Sequence, residues 1–114
     1  MPIDFDDTQE PLRRITITGR LDIPGTEEIA TKFAALSASA KRRVVVDLTG
    51  VSFLASIGIR SIISNAKAVQ QRGGKLVMLV SGDSTAQKTL EITGVAELIP
   101  MFTNAAEAEA AALA

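Results

Sequence analysis

Val44, Val45 and Val46 stand together in KRRVVVDLTG, and KLVMLV occupies residues 75–80; neither run alternates apolar with polar side chains. A strand with one wet face alternates, so an unbroken apolar run marks a strand covered on both faces, as in a parallel sheet packed between helices. Between the two runs, Ile59, Ile62, Ile63, Ala66 and Val69 recur at i, i+3, i+4, i+7 and i+10. That spacing predicts a helix with one apolar stripe, and Gly73 and Gly74 close it with a left-handed cap. The chain is thereby committed to a strand–helix–strand unit with two central, parallel strands.

The flanks extend the same alternation. In LRRITITGR, Ile15 and Ile17 alternate with Thr16 and Thr18, which predicts a strand near a sheet edge with one apolar and one polar face. Residues 1–5 are expected to pair antiparallel with it, DDTQEP forming the connection, with Pro2 and Pro11 limiting both partners. LDIPGTEEIATKFAALSAS reads as a helix: Pro24, Gly25 and Thr26 lead into Glu27 and Glu28, and Ile29, Phe33 and Leu36 follow at helical spacing. After residue 80, SGDST opens a helix carrying Leu90 and Ile92 that stops near Thr93 and Gly94; ELIPMF supplies a short last strand. NAAEAEAAALA is a helix capped by Asn104 or Thr103. The expected architecture is a single α/β domain over residues 1–114, with a mixed, mainly parallel sheet, right-handed crossovers and an antiparallel N-terminal edge strand. Residues 1–10 hold the short edge strand and its loop, and 104–114 the C-terminal helix.

What the chain lacks narrows its chemistry. There is no cysteine and no histidine, so disulfides, thiolate metal sites, cysteine nucleophiles and Ser-His triads are excluded. A formal charge of -1, with four phenylalanines as the only aromatics, argues against a nucleic-acid partner. KRR at 41–43 reads as a charged loop ahead of a buried strand. No apolar run approaches the ~20 residues of a membrane span, and the acidic MPIDFDD is unlike a secretory signal. A soluble cytoplasmic protein without a membrane partner is expected.

Three groups of residues bear on chemistry. GGK at 73–75 fails as a phosphate loop, because its glycines close a helix and its lysine enters a strand, the reverse of the order such a loop needs. Asp6, Asp7 and Asp47 suggest the acid set of a phosphoryl-accepting receiver, but no lysine follows Lys88 to neutralise an acyl phosphate. Asp47 reads instead as ending its strand and accepting backbone hydrogen bonds in a DLTG turn. The third is VSFLASIGIR at 51–60, which delivers Ser56 to the first turn of the central helix. A hydroxyl there either caps the helix or, once phosphorylated, holds a dianion at the positive helix end.

The long segment VVVDLTGVSFLASIGIRSIISNAKAVQQRGGKLVMLV, with ITITGRLD upstream and LEITGVAELIPMF downstream, resembles the STAS domain of bacterial anti-sigma factor antagonists. The likeness covers nearly all of residues 12–113. It implies a non-catalytic module without cofactors. Such a module binds an anti-sigma factor that is also a serine kinase, is released when that kinase phosphorylates it, and is restored by a serine phosphatase. The family's phosphoacceptor motif falls on Ala55, Ser56, Ile57 and Gly58, so the resemblance puts the acceptor at Ser56. It implies a partner-binding rim of Asp22, Ala55, Ser56, Ile57, Gly58, Ile59 and Arg60, flanked by Ser61 and Ser64. Two positions depart from the family: Ala55 replaces the usual aspartate and Ile57 the second hydroxyl residue. The alternative is a STAS subunit that docks constitutively without phosphorylation, in a transport ATPase or a larger signalling assembly.

Overall fold

The structure, a computed structural model, describes residues 2–9, 11–38 and 43–114. Strands β1 (Ile3–Gln9), β2 (Leu12–Leu21), β3 (Arg43–Leu54), β4 (Lys75–Leu79) and β5 (Met101–Phe102) form one sheet in the order β1-β2-β3-β4-β5. β1 runs antiparallel to β2, and the other neighbours are parallel. Helices are α1 (Ile23–Ala38), α2 (Ser56–Gln71), α3 (Thr85–Ile92), α4 (Val95–Leu98) and α5 (Ala105–Leu113). The mixed sheet with an antiparallel edge strand is the one expected. β1, however, reaches Gln9 rather than ending at residue 5, so the connection to β2 is shorter than DDTQEP. Lys41 and Arg42 of the KRR loop lie outside the described residues, and Arg43 opens β3.

Each face of the sheet has its own core. On one, Ile15, Ile17, Val44, Val46, Leu76 and Met78 pack with Ile29 and Phe33 of α1, Ile62 and Val69 of α2 and Leu90 of α3. On the other, Leu12, Val45, Val77 and Leu79 receive Ala108 and Ala112 of α5. Consecutive valines point to opposite faces of a strand, so VVV feeds both cores at once. Small alanines on α5 let that helix lie close to the sheet. Asn104 caps it, its Oδ1 accepting from Glu107 N at 3.1 Å. At the other end of the central helix, Gly73 adopts φ +80° and its N–H donates to Gln70 O, the left-handed stop that the paired glycines predict.

Three details differ from the sequence reading. Asp47 does not end a strand: β3 continues to Leu54, and Asp47 lies buried within it. Its carboxylate accepts from Thr49 N at 2.9 Å, Thr49 Oγ1 at 2.6 Å and Arg14 Nη2 at 2.6 Å, and Arg14 in turn reaches Glu109 of α5 at 3.8 Å. Burial pushes this carboxyl up, but the hydrogen bonds from Thr49 and Arg14 together with the Arg14 charge outweigh it and hold it below the usual carboxylate value. Ile92 is 85% exposed, not part of the core, because α3 ends there after two turns anchored by Ala86 and Leu90. Within ELIPMF the strand is limited to Met101–Phe102; Glu97 and Leu98 belong to α4.

The register explains how β3 outgrows its neighbour. Thr16 faces Asp47 and Thr18 faces Gly50, then Gly19 faces Val51 and Arg20 faces Phe53, so β3 twice spends an extra residue. Such bulges shift which face a side chain occupies. Val44, Val46 and Leu48 share a core with Val51 and Leu54, odd steps that a regular strand would send to the opposite side. The long, bulged end of β3 carries the candidate site.

Candidate functional site

β2 and β3 finish side by side, and Ala55 N donates to Leu21 O at 3.0 Å just beyond their last paired residues, Leu21 and Leu54. The chain then enters α1 after Asp22 and α2 after Ala55. Both helices therefore start at the carboxyl edge of the sheet, where α/β folds place their sites.

Ser56 is exposed and is the first residue of α2. The residue in the cap position is Ala55, extended at φ -90° and ψ 171°, and it makes no side-chain cap hydrogen bond. The capping role for Ser56 is thus overturned: its hydroxyl lies one residue too far into the helix. α2 begins without the closure that Ser84 gives α3 by accepting from Gln87 N.

Asp22 sits beside this point. Its Oδ1 accepts from Gly25 N at 2.9 Å, capping α1, and its Oδ2 meets Arg20 Nε at 3.3 Å. The Gly25 bond, helped by Arg20, lowers the Asp22 carboxyl below its ordinary value. The Arg20 guanidinium lies over the Phe53 ring, 4.5 Å from its centroid. Neither Arg20 nor Phe53 was singled out by sequence: they meet only because the second bulge sets Arg20 opposite Phe53. The adjacent Ile23 is 61% exposed, an apolar side chain at the start of α1.

Of the residues expected at the rim, Ser56 and Arg60 are exposed, and Asp22, Ala55 and Ile57 are partly so. Gly58 and Ile59 are buried and face inward. A Cβ on Gly58 would fall 2.9 Å from Leu21 Cβ and 3.0 Å from Leu54 Cδ1, so glycine here lets α2 close onto the strand ends. These two build the rim without presenting it. Of the flanking serines, Ser64 is exposed and Ser61 partly so.

The acids considered for phosphoryl chemistry do not converge. Asp7 pairs with Arg13 at 2.7 Å, Asp6 is exposed on the edge strand, and Asp47 is held by Arg14. Among the described residues no cluster of three or more acids is arranged to hold a metal ion, and no helix is long and apolar enough to cross a membrane. What the rim offers is a surface: a hydroxyl at an uncapped helix start, a carboxylate, a stacked arginine and apolar groups. Covalent charge added there changes what can pack against it.

Comparison with known proteins gives this surface a context. The profile of the STAS domain matches residues 7–108. A Bordetella bronchiseptica protein named as an anti-sigma factor antagonist, BtrV, is 31% identical over 96 residues, covering 84% of this chain and 81% of its own. An anti-sigma factor antagonist from Mycobacterium paratuberculosis superposes with a TM-score of 0.86 at 19% identity, over 98% of this chain and 93% of that one. The Bacillus cell fate determinant SpoIIAA, solved in the phosphorylated form, gives 0.67 at 18% identity, over 93% and 95%.

Proposed function

The chain belongs to the STAS domain family, and on that footing we propose that it is an anti-sigma factor antagonist that switches partners through Ser56. Unmodified, it binds an anti-sigma factor that is also a serine kinase; phosphorylated on Ser56 it lets that partner go, and a serine phosphatase resets it. The observation that carries this reading is the exposure of Ser56 on the first turn of α2, beside Asp22, in a chain similar to anti-sigma factor antagonists over most of its length.

The physical basis is charge at a docking face. A phosphate adds about -1.5 to -2 charges next to the partly exposed Ile57, at an edge of the sheet where Ile23 is also exposed and a partner would otherwise bury apolar surface. It also stands near the Asp22 carboxylate. The helix start itself tolerates the dianion, since free N–H groups and the helix dipole favour it, so the modification acts on the partner more than on the fold. SpoIIAA, a fold neighbour solved in its phosphorylated form, is consistent with such a state.

Ala55 and Ile57, which depart from the acceptor motif, favour a second reading in which the same rim docks constitutively as a subunit of a larger assembly. One experiment separates the two. The chain is incubated with its serine-kinase anti-sigma factor and ATP, its intact mass is measured, and binding is titrated calorimetrically for wild type, Ser56→Ala and Ser56→Asp. Partner switching requires one added phosphate on wild type and none on Ser56→Ala, with binding kept by Ser56→Ala and lost by Ser56→Asp. Retained binding with no added phosphate selects constitutive docking.

A further inference from the structure

Along its 16 residues, α2 carries Arg60 and Lys67 and no acid. Ser56, Arg60, Ile63, Lys67 and Gln70 follow one another at steps of four, three, four and three, which aligns them as one stripe down the helix. All are exposed except Ile63, which is half-buried. The stripe thus runs from the candidate switch to the far half of the helix.

At that far half lies a groove of about 140 Å³ lined by Ile63, Ala66, Lys67, Gln70, Leu98 and Ile99. Its walls are mainly apolar, with Lys67 and Gln70 as the polar lining residues. Leu98, 67% exposed, stands on the opposite side because its neighbours Val95 and Ile99 are the ones that anchor α4 to the core. Covering such a side chain with a partner's apolar group is favourable, because it removes apolar surface from water. Electrostatically the two sides differ: the charged side chains of α2 are both cations, whereas α4 carries Glu97 and no cation.

We propose that this groove and the α2 stripe are a docking surface for an amphipathic helix of the partner protein, apolar on one face and acidic along one edge. Arg60 and Lys67 are seven residues apart, about 10 Å along the helix, so acids two turns apart on a helix laid beside α2 meet both. An apolar side chain between them fills the groove against Ile63 and Leu98. Glu97, the residue before Leu98 on α4, disfavours an acidic edge on that side and so helps to set the orientation. The partner's identity rests on the reading of Ser56 given above; the chemistry of the groove does not.

The test therefore has two arms. With the anti-sigma factor, Lys67→Glu and Leu98→Asp are each expected to weaken binding about tenfold, since both remove complementarity at a groove contact. Both positions are exposed, so thermal midpoints should stay within a few degrees of wild type. Unchanged affinity in both variants, with binding still abolished by Ser56→Asp, overturns the groove and leaves the switch standing. If the anti-sigma factor does not bind wild type at all, the switch falls and a peptide decides the groove alone. A designed helix with leucines on one face and glutamates two turns apart should shift the amide resonances of Ile63, Lys67, Gln70 and Leu98. Its lysine-for-glutamate counterpart should not. Equal shifts, or none, overturn the proposal. So does concentration-dependent dimerisation, seen by sedimentation and abolished by Leu98→Asp, which would make a second copy the occupant.

Discussion

Helices α1 and α2 begin side by side at the carboxyl edge of the sheet, joined through the Ala55 N to Leu21 O hydrogen bond, yet their first turns are finished differently. α1 is closed by Asp22, whose carboxylate accepts from Gly25 N, while α2 starts behind Ala55 with no side-chain acceptor and an exposed serine. The helix without the candidate phosphoacceptor has a cap. The helix bearing the candidate switch leaves its positive end accessible, where an added phosphate would find unoccupied donors. α2 thus lacks a first-turn hydrogen bond that α1 has.

Breaking the α1 side should have the largest effect. A Cβ on Gly25 would lie 1.9 Å from Arg20 O, a backbone atom of β2 that cannot withdraw without disturbing the sheet. Gly25→Ala is expected to lose about 3 kcal/mol or more in urea unfolding, at or beyond the upper range for overpacking. Gly58→Ala on the α2 side meets Leu21 Cβ, Leu54 Cδ1 and Leu21 O at 2.9–3.1 Å, a milder clash. It should cost about 1–2 kcal/mol; a loss equal to that of Gly25→Ala would mean that α2 is as rigidly seated as α1.

Two smaller changes sharpen the contrast. Ala55→Asp gives α2 the kind of cap α1 already has, on a backbone already extended as a cap residue must be. A gain of about 0.5–1 kcal/mol is expected in the same unfolding assay. The variant also restores the acid usual in the family, so its phosphorylation rate can be read alongside. The smallest effect is one of pH. Asp22 titrates below its ordinary value in the folded chain, so its contribution is fully present above the unfolded carboxylate pKa, about 4, and is lost as pH falls through the lower folded value. The thermal midpoint of Asp22→Asn should trail wild type at pH 7 by an amount that shrinks toward pH 3. Asp47 weakens in that same range in both proteins and cancels from the difference.

Local pattern made much of the molecule legible before any coordinates. VVV and KLVMLV identified the central strands because burial on both faces forbids alternation, and the Ile59–Val69 stripe identified α2 because one helical face must meet the sheet. Asn104 and Gly73 marked helix ends through hydrogen-bonding and dihedral preferences belonging to single residues. Ser56 could be placed at the start of a helix on the same grounds.

Only the tertiary structure decided what surrounds that serine. The two bulges in β3 change which face Val51, Phe53 and Leu54 occupy, and bulges arise from pairing with β2, thirty-odd residues distant in the chain. That pairing sets Arg20 on Phe53, carries β3 past Asp47 to Leu54, and makes Ala55 rather than Ser56 the cap. Side-chain periodicity reports how each segment divides between core and water. It cannot report the register between segments, because the energy that selects a register is spread over contacts that exist only once both strands are in place.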